Sequence, residues 1–108
     1  MTDAKPREHR LSVPRSARCF SWGGEAAAEA WVVLHGYGQL ASRFLRGFES
    51  IATPTRLVVA PEGLSRFYLD AGAGKVGASW MTKEDRAHEI EDYLSHLEQV
   101  RTAIIPPV

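Results

Sequence analysis

Two runs of consecutive apolar residues set the framework of this chain. Trp31–Leu34 (WVVL) and Leu57–Ala60 (LVVA) contain no polar residue. Strands without polar alternation are typical of parallel sheets that carry helices on both faces, so both runs are predicted to be strands buried on both sides. Pro61 is predicted to end the second strand, because proline has no N–H to donate to a neighbouring strand.

The segment between these runs has the periodicity of an amphipathic helix. Apolar residues recur at helical spacing over Ser42–Ala52, and Ser42 is a suitable N-cap. The predicted apolar stripe is Phe44, Leu45, Phe48 and Ile51. A strand, a helix and a strand in this order predict a parallel unit with its two strands side by side. The expected fold class is therefore α/β.

The chain before Trp31 is predicted to contain an antiparallel hairpin. His9–Val13 and Arg18–Trp22 alternate polar and apolar residues, as half-buried antiparallel strands do. Residues 1–8 are polar and are expected to be disordered. Residues 9–108 then form a single domain.

After the second apolar run the pattern predicts a long loop and a long helix. Pro61–Met81 is rich in glycine and longer than most connections, which predicts a functional or substrate-lining loop. Thr82–Arg101 has the clearest helical period, and Thr82 and Asp85 are spaced as a capping box. The predicted buried stripe of this helix is Ile90, Tyr93, Leu94, Leu97 and Val100.

Composition and charge indicate which partners and which cellular location to expect for this protein. With 13 basic and 13 acidic residues among 108, the net charge is zero, and we expect no binding to nucleic acid. No apolar run approaches the roughly 18 residues that a membrane helix needs, so no stable membrane insertion is expected. Cys19 is the only cysteine and the N-terminus has no apolar signal core. These features together predict a cytoplasmic protein.

An abrupt turn, His35-Gly36-Tyr37-Gly38, follows the first apolar run. Glycines on both sides of Tyr37 allow a sharp turn and leave backbone N–H groups uncovered, which suits an anion. The turn resembles the His-Gly-x-Gly turn of α/β-hydrolase serine esterases of the phospholipase/carboxylesterase type. The resemblance implies that the Tyr37 N–H is one donor of an oxyanion hole. His35, Gly36 and Gly38 would shape the turn, and Gln39 would either orient it, line the pocket or lie exposed.

Further blocks carry the same resemblance along about residues 9–101. Pro61–Tyr68 resembles the loop after the next strand in bacterial members of the family, and Gly77–Thr82 with Glu84–Arg86 resembles the helix entrance beyond it. The implied fold is the N-terminal part of an α/β-hydrolase, with an antiparallel hairpin followed by a parallel strand–helix–strand–helix unit. The implied substrates are small carboxylic esters or thioesters, and the chemistry requires no metal or organic cofactor.

The 108 residues contain no nucleophile elbow G-x-S-x-G. Around Ser65 and Ser79 the first glycine is present, but Phe67 and Met81 stand where the second should be. In the order of the family, the nucleophile, the acid and the base would all follow Val108. The expectation is therefore an N-terminal fragment that is inactive alone, whether by truncation or because another segment supplies the missing half. The alternative is a non-enzymatic interaction or scaffold domain that pairs through an open sheet edge.

Other motif-like stretches have simpler explanations. Gly72–Gly77 spells G-x-G-x-x-G, but it lacks the preceding apolar strand and the following helix of a dinucleotide site, so a flexible loop is predicted. His88-Glu89 lacks the second histidine of a zinc motif, and His88 and His96 are predicted to be solvated helix residues.

The aromatic residues of the glycine-rich segment could line an apolar pocket or pack over the sheet. Tyr68 and Trp80 are favoured as pocket wall, and Phe67 and Met81 as packing residues. Glu62 and Arg66, four positions apart, are predicted to pair with each other.

Overall fold

The computed structural model describes residues 5–70 and 72–108 as a small α/β domain. A short 3₁₀ turn, Arg46–Phe48, follows the first helix. The elements in chain order are strand β1 (Cys19–Trp22), strand β2 (Glu29–Val32), helix α1 (Ala41–Leu45), strand β3 (Arg56–Pro61), strand β4 (Ser65–Tyr68), strand β5 (Val76–Ser79) and helix α2 (Arg86–Ala103).

Strand β3 is the centre of a three-stranded sheet with the order β1-β3-β2. It runs parallel to β2, with Trp31 opposite Val58, and antiparallel to β1, with Phe20 opposite Ala60. The predicted parallel strand–helix–strand unit is therefore confirmed. The predicted hairpin is wrong, because residues 9–13 form no strand and β1 pairs with β3 instead. The long apolar β3 offers β1 a buried partner that the short, exposed segment at 9–13 does not.

Burial on both faces holds for β3 and not for β2. Val58 and Ala60 pack with Ala41 and Leu45 on the α1 side. The opposite face, Leu57 and Val59, packs with Val100 of α2. Strand β2 starts two residues before the apolar run and lies at the sheet edge. Trp31 and Val32 are 42% and 46% exposed there, so the prediction of two-sided burial is wrong for this strand.

Helix α1 is shorter than the amphipathic pattern predicts. It starts at Ala41 instead of Ser42 and ends at Leu45, with the 3₁₀ turn beyond it. No side chain of the preceding residues caps it, and Ser42 is not the N-cap. The Ala41 N–H instead donates to Glu62 Oε1 at 3.1 Å, so the start of α1 is fixed by a carboxylate from the end of β3. Gly47 lies in the 3₁₀ turn and weakens continuation of the helix.

Most of Pro61–Met81 is a β-hairpin, formed by β4 and β5, and not the long loop that was expected. Strands β4 and β5 pair antiparallel, with Phe67 opposite Gly77. The tip closes through a 2.7 Å hydrogen bond from the Leu69 N–H to the Lys75 carbonyl. The G-x-G-x-x-G sequence thus lies in the tip and in β5, with no helix opening from it.

Helix α2 begins at Arg86, four residues later than predicted. The capping box of Thr82 and Asp85 does not form, because the Thr82 N–H and hydroxyl both donate to Glu89 Oε1, at 2.9 and 2.8 Å. Asp85 instead accepts a pair of 2.9 Å hydrogen bonds from Arg10. The hydrogen bonds from Arg10 and then His88 lower the pKa of Asp85 to about 2.

The N-terminal prediction falls partly outside the described residues, since residues 1–4 are not described. Residues 5–8 are exposed and form no helix or strand. In residues 5–70 and 72–108, none of the helices combines the length and apolar character needed to cross a bilayer.

Candidate functional site

The turn His35–Gln39 lies at the carboxyl end of β2. A hydrogen bond from the Val33 N–H to the Val59 carbonyl (2.9 Å) extends the parallel pairing toward it. Parallel strands end at the same edge of a sheet, so the turn is next to the end of β3 at Pro61–Gly63. This edge is where ligands of open α/β sheets commonly bind.

Hydrogen bonds hold the backbone on both sides of Tyr37. The Gly36 N–H donates to Gln39 Oε1 at 2.6 Å, and the Gln39 N–H returns a 3.2 Å bond to the Gly36 carbonyl. The Gly38 N–H donates to the Ala78 carbonyl at 2.9 Å, and the Ala78 N–H donates to the Gln39 carbonyl at 3.0 Å. Gln39 therefore orients the turn, which is one of the roles that the sequence left open.

The N–H of Tyr37 differs from those of its neighbours. Within residues 5–70 and 72–108 it has no hydrogen-bond acceptor, whereas the N–H groups of Gly36 and Gly38 are both engaged. The Tyr37 side chain is exposed and its ring lies 5.2 Å from the Phe67 ring. A fixed turn thus carries one backbone donor for which the described part of the chain provides no acceptor.

Glycine is required at Gly38 because its φ is +78°, a left-handed conformation that other residues rarely adopt. Strand β5 approaches this residue closely. A Cβ at Gly77 would lie 2.7 Å from the Gly38 Cα, far inside van der Waals contact. Strand β5 can lie this close to the turn only because Gly77 carries no side chain.

His35 is buried, and both of its ring nitrogens contact backbone groups. Its Nε2 accepts a 2.9 Å hydrogen bond from the Gly63 N–H, which joins the turn to the end of β3. Nδ1 lies 2.8 Å from the Gly36 carbonyl, an acceptor, so the neutral ring carries its proton on Nδ1. Both ring nitrogens are therefore occupied in holding the backbone.

Trp80 supports the same histidine from the other side. Its ring stacks on His35 with centroids 5.0 Å apart, and its Nε1–H donates to the His35 carbonyl at 2.9 Å. His96 stacks on Trp80 at 6.3 Å and Tyr93 meets it edge-on at 5.9 Å. Trp80 thus connects the turn to helix α2.

Tyr68 and Trp80, which were both predicted to line a pocket, lie in different environments. Tyr68 is 71% exposed on β4, whereas Trp80 is half-buried between the two histidines. Their contact with a substrate stays a prediction. Phe67 is half-buried, as expected of a packing residue, and Met81 lies at the surface.

Glu62 is the residue of this region that sequence reasoning underestimated. Its side chain is 1% exposed and accepts hydrogen bonds from Arg18 and Arg66. The predicted pair with Arg66 is confirmed at 3.0 Å. Burial acts to raise the pKa of Glu62, but the hydrogen bonds from Arg18, the Ala41 N–H and Arg66 outweigh it and hold the pKa below its usual value. The ionised carboxylate therefore links Arg18, just before β1, to the start of α1 and to Arg66 of β4.

The prediction that His96 is a solvated helix residue is wrong. It is buried, and its Nε2 lies 3.0 Å from the Glu62 carbonyl, so it is not a solvated helix residue. His88 is exposed and contacts Asp85 at 2.9 Å, as a surface residue. No local signal distinguishes the two histidines, because the partner of His96 lies 34 positions away.

The remaining candidate chemistry is sparse. The Ser79 hydroxyl is buried and donates to the Met81 carbonyl at 2.9 Å, and Ser65 is exposed at the start of β4. Across the described ranges there is no cluster of three or more histidine, cysteine or acidic side chains arranged to hold a metal ion.

Neither the protein-family models nor the curated proteins compared with this sequence match it. The resemblance to α/β-hydrolase esterases rests on the sequence blocks described above.

Proposed function

We propose that this chain supplies the oxyanion-binding part of a serine ester hydrolase of the α/β-hydrolase type, acting on carboxylic esters or thioesters. The observation that carries the proposal is the Tyr37 N–H, a donor that has no acceptor among the described residues, in a turn whose neighbouring N–H groups are fixed. Such preorganised donors stabilise charge that develops on a carbonyl oxygen. The proposal includes a cytoplasmic location, where the single Cys19 stays a free thiol.

The chemistry of the complete site is two-step acyl transfer. A serine outside these 108 residues, whose proton passes to a base that also lies outside them, attacks the ester carbonyl, and the carbonyl oxygen becomes an oxyanion. The tetrahedral intermediate then releases the alcohol or thiol and leaves the acyl-enzyme, which water hydrolyses to the carboxylic acid and the free serine. In this chain the Tyr37 N–H binds that oxygen. Gln39 and His35 hold the turn, and Trp80 keeps His35 in place. A second donor belongs to the residue after the serine.

Substitution of Tyr37 by proline removes the proposed donor, and substitution by alanine removes only the ring. We expect acetate to shift the Tyr37 amide proton of the wild-type chain more than the amide protons of Gly36 and Gly38, measured by ¹H–¹⁵N NMR. Tyr37→Ala keeps this response at position 37. Tyr37→Pro abolishes the acetate-dependent shifts of the neighbouring glycines. Acetate shifts at the two glycines that persist in Tyr37→Pro contradict the proposal, as does a Tyr37 amide that does not respond.

The chain alone is expected to hydrolyse no nitrophenyl ester, because none of its serines lies in a nucleophile elbow. The measurement is release of nitrophenol from short-chain esters above the buffer rate. Ser65→Ala and Ser79→Ala serve as matched variants for any activity found. If the chain hydrolyses the ester reproducibly and either substitution abolishes the activity, the proposal that the nucleophilic serine lies outside these residues is contradicted.

A second candidate function is an interaction domain that pairs through its sheet edge. The observation in its favour is the exposure of Trp31 and Val32, which point to opposite faces of β2. The outer edge of β2 pairs with no other described strand. A second copy of the chain is the partner proposed for this edge.

A further inference from the structure

A small cavity lies beside the turn, between helix α1 and the tip of the β4–β5 hairpin. Its volume is about 290 Å³, and it is bordered by Gly38 and Gln39 of the turn. The apolar part of its wall is Leu40, Phe44, Leu69 and Val76. At roughly 30 Å³ for each water-sized group, the cavity holds about ten non-hydrogen atoms. A short alkyl chain with one polar group is of this size.

The charged residues of the wall are all cationic. Arg43 of α1 and Lys75 of the hairpin tip line the cavity, and no acidic residue does. In the described part of the chain neither Arg43 nor Lys75 has an ion-pair partner. The nearby Asp70 carboxylate accepts the Gly72 N–H at 3.0 Å. Two cationic side chains at one apolar cavity, neither of them ion-paired within the described residues, attract an anion.

The backbone brings these charges to one place. The Leu69–Lys75 hydrogen bond closes the hairpin tip and sets both residues against the cavity. Arg43 and Phe44 come from α1, whose Ala41 and Leu45 are buried against the sheet. The arginine is thus on a helix anchored by the core, and its guanidinium matches the two oxygens of a carboxylate.

We infer that this cavity binds the acyl chain of a substrate in which a short alkyl segment ends in an ionised carboxylate. The apolar wall takes the alkyl segment, and Arg43 with Lys75 takes the carboxylate. This inference rests on the proposed function in one respect. The ligand is called a substrate because the cavity adjoins the turn that carries the Tyr37 N–H. Binding of a short-chain carboxylate to the cavity does not depend on that donor.

Octanoate is the probe for this site, and octanamide is its uncharged counterpart. In an NMR titration at pH 7, octanoate is expected to shift the methyl signals of Val76 and the ring signals of Phe44, and octanamide is expected to bind about tenfold or more weakly. The double variant Arg43→Gln, Lys75→Gln is expected to lose octanoate binding by a similar factor. Arg46→Gln, beside α1 but outside the cavity wall, is the matched control and keeps the wild-type affinity.

Two results overturn the inference. One is equal binding of octanoate and octanamide, and the other is octanoate binding that the double variant does not weaken. Circular dichroism shows whether the variants fold, and the single variant Arg43→Gln gives the same test with one exposed residue changed. Tyr37→Pro separates the two proposals, since it is expected to leave octanoate binding at Val76 unchanged while it removes the acetate response of the turn. Either proposal can therefore fail while the other holds.

Discussion

Glu62 is the residue on which the packing around the turn depends most. Its carboxylate is buried and holds Arg18, Arg66 and the first N–H of α1. In Glu62→Gln an amide replaces an acceptor-only group, so one of these donors loses its partner and the two arginines lose their counter-charge. We expect the free energy of unfolding to fall by about 1–3 kcal/mol, measured by urea denaturation with tryptophan fluorescence.

The pH dependence of this effect has a definite sign. The pKa of Glu62 is lower in the folded chain than its ordinary value of 4.5, so the ionised carboxylate stabilises the fold above about pH 4.5. That contribution is lost as the pH falls through the lowered pKa. The difference between wild type and Glu62→Gln is therefore expected to shrink between pH 7 and pH 3. A difference that is constant or grows on acidification contradicts this account.

Two variants control for the loss of an ion pair in general. Arg101 pairs with Glu98 on the exposed face of α2, so Arg101→Gln is expected to leave stability unchanged. Arg66→Gln leaves Glu62 with Arg18 and is expected to destabilise less than Glu62→Gln. It also provides a measurement if Glu62→Gln fails to fold.

At the residue scale the sequence predicts local partners and misses distant ones. The four-residue spacing of Glu62 and Arg66 predicts their pairing, which the structure confirms. Arg18 lies 44 positions from Glu62, and no pattern along the chain connects them. His96 is missed for the same reason. Its environment is decided by the carbonyl of Glu62 and the ring of Trp80, not by its neighbours on α2.

Among the elements, β5 controls the geometry of the turn. Gly77→Ala places a Cβ against the backbone of Gly38, so relief of the clash disturbs the hydrogen bond from the Gly38 N–H to the Ala78 carbonyl. We expect this substitution to lower the free energy of unfolding by about 1–3 kcal/mol and to shift the Tyr37 amide signal.

Gly47→Ala is the matched control for Gly77→Ala. No atom lies within 4 Å of a Cβ built at Gly47, and its φ is not positive. The substitution is expected to leave stability unchanged or to raise it by about 0.4–1 kcal/mol through the unfolded chain. Equal effects of the two alanines in denaturation and in the NMR spectrum contradict the role assigned to β5.

Hydrophobic pattern alone predicts some elements and not others. The apolar run of β3 predicts a buried strand because burial and strand formation coincide there. An equally apolar run at Trp31–Leu34 lies at the edge, since the order of strands decides which one is central. The sequences SRFY and VGAS of β4 and β5 have little apolar periodicity. They form strands because they pair with each other, and Ala78 of β5 also pairs with Gln39 of the turn.

For the whole molecule, the open edge of β2 predicts how the chain behaves in solution. A strand at a sheet edge presents unpaired backbone groups, and β2 adds apolar side chains on both of its faces. We expect the chain to self-associate with rising concentration, measured by size-exclusion chromatography with light scattering.

Val32→Lys tests whether β2 is the surface responsible, because a lysine on an edge strand opposes pairing with another strand. Val32 is about half exposed, so we expect the fold to tolerate the lysine and the monomer to predominate in the variant. Val108→Lys adds the same charge at an exposed position outside the strands and is expected to leave association unchanged. If Val32→Lys associates as strongly as the wild-type chain, another surface mediates the contact. If the wild-type chain stays monomeric at every concentration, the edge does not recruit a second copy, and the interaction-domain alternative loses the observation that favours it.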